Sequence, residues 1–238
     1  MLVTNKELLK KAQREAYAVG AFNIQNLESL LAVVEAAVEE KSPVIVAVTP
    51  SAIKYGGLNY LAGLVKKAAE TSRVPMSLHL DHGENMETVK KCLEAGFTSV
   101  MIDGSYLPFE ENIALTKRVV EIAHQKGVSV EGELGRLAGI EEKTVEEREA
   151  VLTDPREAEE FVRRTDVDAL AVSIGTSHGA YKFKGEPQLD FERLKQIRER
   201  VEVPLVLHGA SSVPKWIIEK ATKYGAELAG AKGIPEDH

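Results

Sequence analysis

One cysteine, Cys92, among 238 residues excludes an intrachain disulfide framework. A lone thiol is at home in a reducing compartment, so the expected location is the cytoplasm. Its setting, Val89-Lys90-Lys91-Cys92-Leu93, has helical spacing and reads as packing. The sequence also lacks any apolar run of 18 residues or more, so nothing in it reads as a membrane span. The first twenty residues lack the apolar stretch of a secretory signal and read as an amphipathic helix. Basic charge is in short supply too: 30 Lys and Arg stand against 37 Asp and Glu, a formal net charge of −7. That balance argues against nucleic acid as a partner and means an anionic substrate needs a local trap. No low-complexity tract or short-period repeat is present.

What is present is alternation. Short apolar runs at residues 19–23, 44–48, 76–80, 99–102, 128–133, 169–174 and 205–207 read as strands. Segments with apolar spacing near 3.6 separate them, at 27–39, 84–95, 111–124, 155–164 and 191–200. Strand, helix, strand in steady succession means parallel strands joined by right-handed crossovers. Seven units without a composition shift favour an α/β barrel of the (β/α)₈ type, with a doubly wound open sheet as the alternative. A closed barrel needs eight strands. After a helix expected near 213–224, the tail carries no eighth strand pattern. The expectation is therefore one barrel domain over 1–238, truncated after its seventh unit, and impaired by the loss.

Barrel enzymes place reactive groups on loops that leave the C-terminal strand ends. Here those ends read His79-Leu80-Asp81-His82-Gly83, Glu131-Gly132-Glu133, Gly175-Thr176-Ser177-His178-Gly179 and Leu207-His208-Gly209. Three of the six histidines, His82, His178 and His208, hold equivalent positions, each followed by glycine. Any one of them is explained as a satisfied polar residue at a strand end. Three together, beside carboxylates, point to a catalytic Zn²⁺ with an open coordination position. The glycines let the backbone approach a ligand closely. His79 reads as structural or supporting, while His124 and His238 carry no assigned role. His208-Gly209-Ala210-Ser211-Ser212 is a candidate phosphate nest or an ordinary loop. Lys182 and Lys184 are either substrate-facing cations or solvated surface charges. The acidic stretch 139–147 is a solvated loop, or a mobile lid that carries a carboxylate base.

The motifs VGAFNIQNLES (19–29), HLDHG (79–83), FTSVMIDGS (97–105), VEGELGRLAGIEE (130–142), AVSIGTSHGAYKFKGEP (171–187) and PLVLHGASSVP (204–214) together resemble the class II, metal-dependent fructose-1,6-bisphosphate aldolases. The sister tagatose-bisphosphate aldolases share most of them. The resemblance implies a (β/α)₈ barrel and reversible cleavage of a sugar bisphosphate into two triose phosphates, in glycolysis and gluconeogenesis. It implies Zn²⁺ on His82, His178 and His208, and a second or alternative divalent metal position at Glu133 and Asp103. A monovalent cation near the phosphate is also implied. Asp81 then matches the residue that exchanges the C4 hydroxyl proton. Glu142 matches the loop carboxylate that moves the proton at C3, with Glu141 as a competing alignment. Asn23, Thr49, Gly179, Lys182, Gly209 and Ser211 match substrate-binding positions. Family members continue into an eighth strand and further helices and are homo-oligomers, dimers or tetramers. Rival expectations are tagatose-bisphosphate cleavage, a metal-binding but inactive barrel, and a metal-dependent hydrolase.

Overall fold

The computed structural model describes residues 1–140, 144–146, 150–178 and 189–210. The chain divides into two compact units, Met1–Glu133 with Val162–Leu170, and Leu134–Phe161 with Ala171–His238. No described helix is long and apolar enough to cross a membrane.

The first unit begins with α1 (Asn5–Glu15), capped by Thr4, whose hydroxyl accepts from Glu7 N. Then come β1 (Gly20–Asn23), α2 (Leu27–Glu39), β2 (Val44–Val48), α3 (Pro50–Gly56), α4 (Leu58–Thr71), β3 (Met76–Gly83), α5 (Met86–Glu94), β4 (Ser99–Ile102), α6 (Phe109–His124) and β5 (Ser129–Leu134). Strands β1 to β5 pair in sequence order, all parallel. The registers run Val44 against Met76, His79 against Ser99, and Ser99 against Ser129. Strand β2 reads Val-Ile-Val-Ala-Val and is buried at every residue, as expected for a parallel strand covered on both faces. Leu78, Leu80, Met101 and Ile102 from the sheet, Leu30 of α2, Leu61 of α4 and Phe97 are each almost fully buried. Cys92 of α5 belongs to this core, and burial pushes its thiol up to about 12. It is packing, as its spacing suggested.

Helices α3 and α4 were not among the helical segments read from spacing. Pro50 opens α3 at its first turn, Thr49 caps it, and Gly57, at φ 82°, breaks it from α4. Two helices joined at a glycine blur the single apolar stripe that spacing looks for.

Helix α7 (Pro155–Thr165) and strand β8 (Ala169–Val172) each contribute residues to both units. In sheet order β8 follows β5, and Asp168 N donates to Val130 O at 2.8 Å. In the second unit, β6 (Ala138–Ile140) pairs antiparallel with β7 (Thr144–Val145) and parallel with β9 (Ser177–His178). Within the acidic stretch, residues 139–140 and 144–145 thus pair as antiparallel strands. Helix α8 (Phe191–Arg200) is capped by Asp190, and β10 (Leu205–Val206) follows β8 in sheet order. Thr153, buried, ties this unit together: its hydroxyl donates to Leu134 O and accepts from Ser173 N. The helix expected near 213–224 and the tail beyond it lie outside the described residues.

Candidate active site

In the first unit the candidate residues follow one rule of placement. Asn23 ends β1, Thr49 follows β2, Asp81 and His82 lie at the end of β3, Asp103 follows β4, and Glu133 lies at the end of β5. Five parallel strands therefore present polar groups at the same, C-terminal end of their sheet.

The end of β3 departs from regular strand geometry. Register with β4 shifts between Leu80 and Gly83, and His82 adopts φ 47°, in the left-handed region. Consecutive strand residues normally point to opposite faces. The shift brings both to one place: Asp81 Oδ1 lies 3.8 Å from His82 Nε2. Gly83 is required for a packing reason. A Cβ there would stand 2.4 Å from Met101 O on the neighbouring strand. Met101 also receives the His82 backbone N–H on its Sδ, at 3.3 Å.

Three acids surround the His82 ring. Asp103 Oδ2 lies 3.3 Å from Nδ1 and Glu133 Oε2 lies 3.7 Å from the same atom. One ligand atom each from His82, Asp103 and Glu133 falls within 4.8 Å of the others. His82, Asp81 and Glu133 are buried. Carboxylates gathered away from water repel one another unless a cation or protons compensate them. This set of imidazole nitrogen and carboxylate oxygens therefore fits a divalent metal cation. For Asp103, burial acts to raise the carboxyl. The hydrogen bond and charge of His82, with two bonds from Ser105, outweigh it and bring the group to about 2. Asp103 is thus a carboxylate at neutral pH.

Supporting residues hold these groups in place. Asn23 Nδ2 donates to Asp81 Oδ2 at 2.6 Å. Ser105 donates both its N–H and its hydroxyl to Asp103 Oδ1, at 3.0 and 2.7 Å. Thr49 spends its hydroxyl on Ala52 N, as the α3 cap, and on Ser51 Oγ. Asn112, which the sequence reading did not single out, donates to Glu133 O at 2.9 Å and accepts from Thr116 at 3.1 Å. Its signal was available: Asn112 and Thr116 are polar residues one turn apart on the buried face of α6.

In the second unit, His178 and His208 stand edge to face, ring centroids 5.9 Å apart. Gly209 has φ 64°, and a Cβ there would meet Ser177 O at 2.4 Å, so glycine lets this loop lie against β9. Ser177 Oγ donates to Ala138 O at 3.0 Å. Glu142, Gly179, Lys182 and Ser211 lie outside the described residues.

Residues 3–227 match the family described as class II fructose-bisphosphate aldolase. This chain belongs to that family. The fructose-bisphosphate aldolase of Thermus caldophilus is 56% identical over 239 residues, 100% of this chain and 78% of that protein. That of Helicobacter pylori, strain ATCC 700392 / 26695, is 52% identical over 237 residues, 99% of this chain and 77% of the relative. Among solved structures, the YdjI aldolase from Escherichia coli K12 superposes with a TM-score of 0.78 at 35% identity, covering 98% of this chain and 80% of that one. Likeness at this level places the chain in the α/β barrel fold class of these aldolases and makes it a class II aldolase, a carbon–carbon lyase. The clustering of imidazole and carboxylates in the first unit agrees with a metal-dependent family.

Proposed function

We propose that this chain catalyses the reversible cleavage of fructose 1,6-bisphosphate to dihydroxyacetone phosphate and glyceraldehyde 3-phosphate. The observation that supports this most is Asp81, a buried carboxylate oriented by Asn23 beside the His82, Asp103 and Glu133 cluster, in a chain of this family. His82, His178 and His208 would hold the catalytic Zn²⁺, with Asp103 and Glu133 available to a second divalent ion. Bound zinc supplies Lewis-acid stabilisation of the negative charge that develops when the C3–C4 bond breaks, worth several kcal/mol.

Asp81 accepts the proton of the C4 hydroxyl during cleavage and returns it during condensation. Its second oxygen is held by the Asn23 amide, so the carboxylate keeps one rotamer during the transfer. Glu142 moves the proton at C3 of dihydroxyacetone phosphate. Each transfer contributes about 10²–10⁴-fold. Asn23, Thr49, Gly179, Lys182, Gly209 and Ser211 hold the substrate and its phosphates, with a monovalent cation assisting there. The reaction serves glycolysis and gluconeogenesis in the cytoplasm, in a homo-oligomer.

The test is triose phosphate release from fructose 1,6-bisphosphate by the chain as isolated, after chelation, and after zinc is returned, with tagatose 1,6-bisphosphate in parallel. Activity that chelation removes and zinc restores, with preference for the fructose substrate, supports the proposal. A folded, metal-loaded chain that cleaves only the tagatose isomer, or neither, overturns it.

A further inference from the structure

A second cluster of buried polar groups lies one layer below the candidate site, and the proposed chemistry does not use it. Asn5, Ser77, His79, Ser99 and Glu131 are each no more than 3% exposed. They come from α1, β3, β4 and β5. On β3, His79 precedes Asp81 by two residues, and on β5, Glu131 precedes Glu133 by two. Strand alternation puts His79 on the same face of β3 as Asp81, and Glu131 on the same face of β5 as Glu133. The equivalent interior layers of parallel sheets are filled by branched apolar residues. A buried polar layer gains nothing in stability over an apolar one unless its groups are all satisfied, and it then specifies geometry.

The hydrogen bonds in this layer have a direction. Ser77 Oγ donates to Asn5 Oδ1. With the Asn5 oxygen on Ser77, Nδ2 faces His79 Nδ1, at 3.2 Å. An amide nitrogen only donates, so in this orientation Nδ1 accepts, which leaves the imidazole proton for Nε2. Nε2 in turn faces Glu131 Oε2 at 3.7 Å. Ser99 Oγ stands 3.0 Å from Nδ1 and can donate to the same lone pair. An imidazolium here would set N–H against N–H.

We infer that His79 is a positioning residue for the aldol reaction: a neutral imidazole, protonated on Nε2, that braces the β3 end carrying Asp81 against the β5 end carrying Glu133. The inference rests on the aldolase reading above. The pairs His79–Ser99 and Leu80–Val100 are the last in register before the shift at the end of β3. The ladder resumes only at Gly83–Ile102, so across the irregular step that carries Asp81 and His82 a side-chain brace at this level helps to set their distance to β5. His79 is buried beneath the site and does not touch substrate; its contribution is geometric. A misplacement of about 1 Å in a reacting group is enough to lower turnover about 10²-fold.

The test uses the full chain labelled with ¹⁵N-histidine. Long-range ¹H–¹⁵N correlation is expected to show His79 as the neutral Nε2–H tautomer from pH 6 to pH 9, with or without zinc. His79→Phe keeps the ring volume without its nitrogens and is expected to lower kcat about 10- to 100-fold, with KM within about threefold. His79→Gln offers an acceptor oxygen and a donor nitrogen and is expected to recover most of that loss. An Nδ1–H or imidazolium signature, equal losses of kcat in the two variants, or a loss confined to KM would each overturn the inference. Should His79→Phe not fold, the spectrum and His79→Gln still decide. A wild-type chain that cleaves no sugar bisphosphate sinks the aldolase reading instead, and the spectrum shows separately whether the tautomer was read correctly.

Discussion

Asp81 and His82 are consecutive in the chain, yet their side chains meet, Oδ1 to Nε2 at 3.8 Å. In a regular strand they would lie on opposite faces. The positive φ of His82 and the register shift before Gly83 turn a proton-transfer group and a candidate metal ligand toward one another. Backbone strain of this kind, of order 1–3 kcal/mol, persists where surrounding contacts over-determine it. Here Met101 and Gly83 do so.

If Asp81 moves the C4 hydroxyl proton, Asp81→Asn keeps its shape and most of its contacts and loses its basicity. The expected result is a fall in kcat of about 10²–10⁴-fold with KM nearly unchanged. Steady-state release of triose phosphate measures it, and a fall below tenfold would remove Asp81 from that role.

Metal binding is testable apart from turnover. A ligand that binds only the folded chain at about 100 times its Kd adds about 2.7 kcal/mol of stability. Zinc is therefore expected to raise the melting temperature of chelator-treated protein. In His82→Ala, which removes the imidazole from the candidate ligand set, that rise is expected to disappear. An unchanged zinc response in the variant would argue against His82 as a ligand.

Asn112 holds the Glu133 carbonyl from α6. Asn112→Ala leaves that buried carbonyl without its donor and the Thr116 hydroxyl without its acceptor. Denaturant unfolding is expected to show a loss of about 1–3 kcal/mol. Activity is expected to fall as well, since Glu133 sits at the candidate metal position.

Gly83→Ala is expected to destabilise by about 1–3 kcal/mol, because the added methyl meets the Met101 carbonyl and a strand backbone has no rotamer with which to yield. The same experiment at Gly63, where a Cβ meets nothing within 4 Å, provides the control. Equal effects at the two positions would contradict the packing account of Gly83.

Asp168 gives the pH dependence. Burial acts to raise its carboxyl, but Lys6 at 2.7 Å, the Val130 N–H and His124, each at 2.8 Å, outweigh that and hold it below the usual 3.8. A carboxyl whose folded value is depressed contributes stability above its unfolded value and loses it as pH falls through the folded one. Asp168→Asn is therefore expected to be less stable than wild type at pH 7, with the gap closing as acid protonates Asp168. Chemical denaturation at a series of pH values checks this, and a gap that widens in acid would refute it.

Much of this could be read along the chain. The strands at 44–48 and 99–102 and the helices at 27–39 and 191–200 were read with the boundaries they have in the structure, because apolar periodicity records burial directly. The chemical residue types at strand ends, and their motif spacing, were equally plain, and so was the family. What depends on pairing was not. The antiparallel pairing of β6 with β7 leaves no apolar period in the sequence. Asn5, Asn112 and Asp168 looked like ordinary helix or loop polar residues until their partners, 21 to 74 positions away, were known.

The local sequence determines which segments coil or extend and which side chains can bind metal or move protons, since propensity and chemistry belong to single residues and near neighbours. The tertiary structure decided that Asp81 and His82 share one side, that three acids gather at one imidazole, and which polar groups surround His79. Those depend on register, on a positive φ, and on donors and acceptors brought together from distant segments, and no single stretch of chain encodes them.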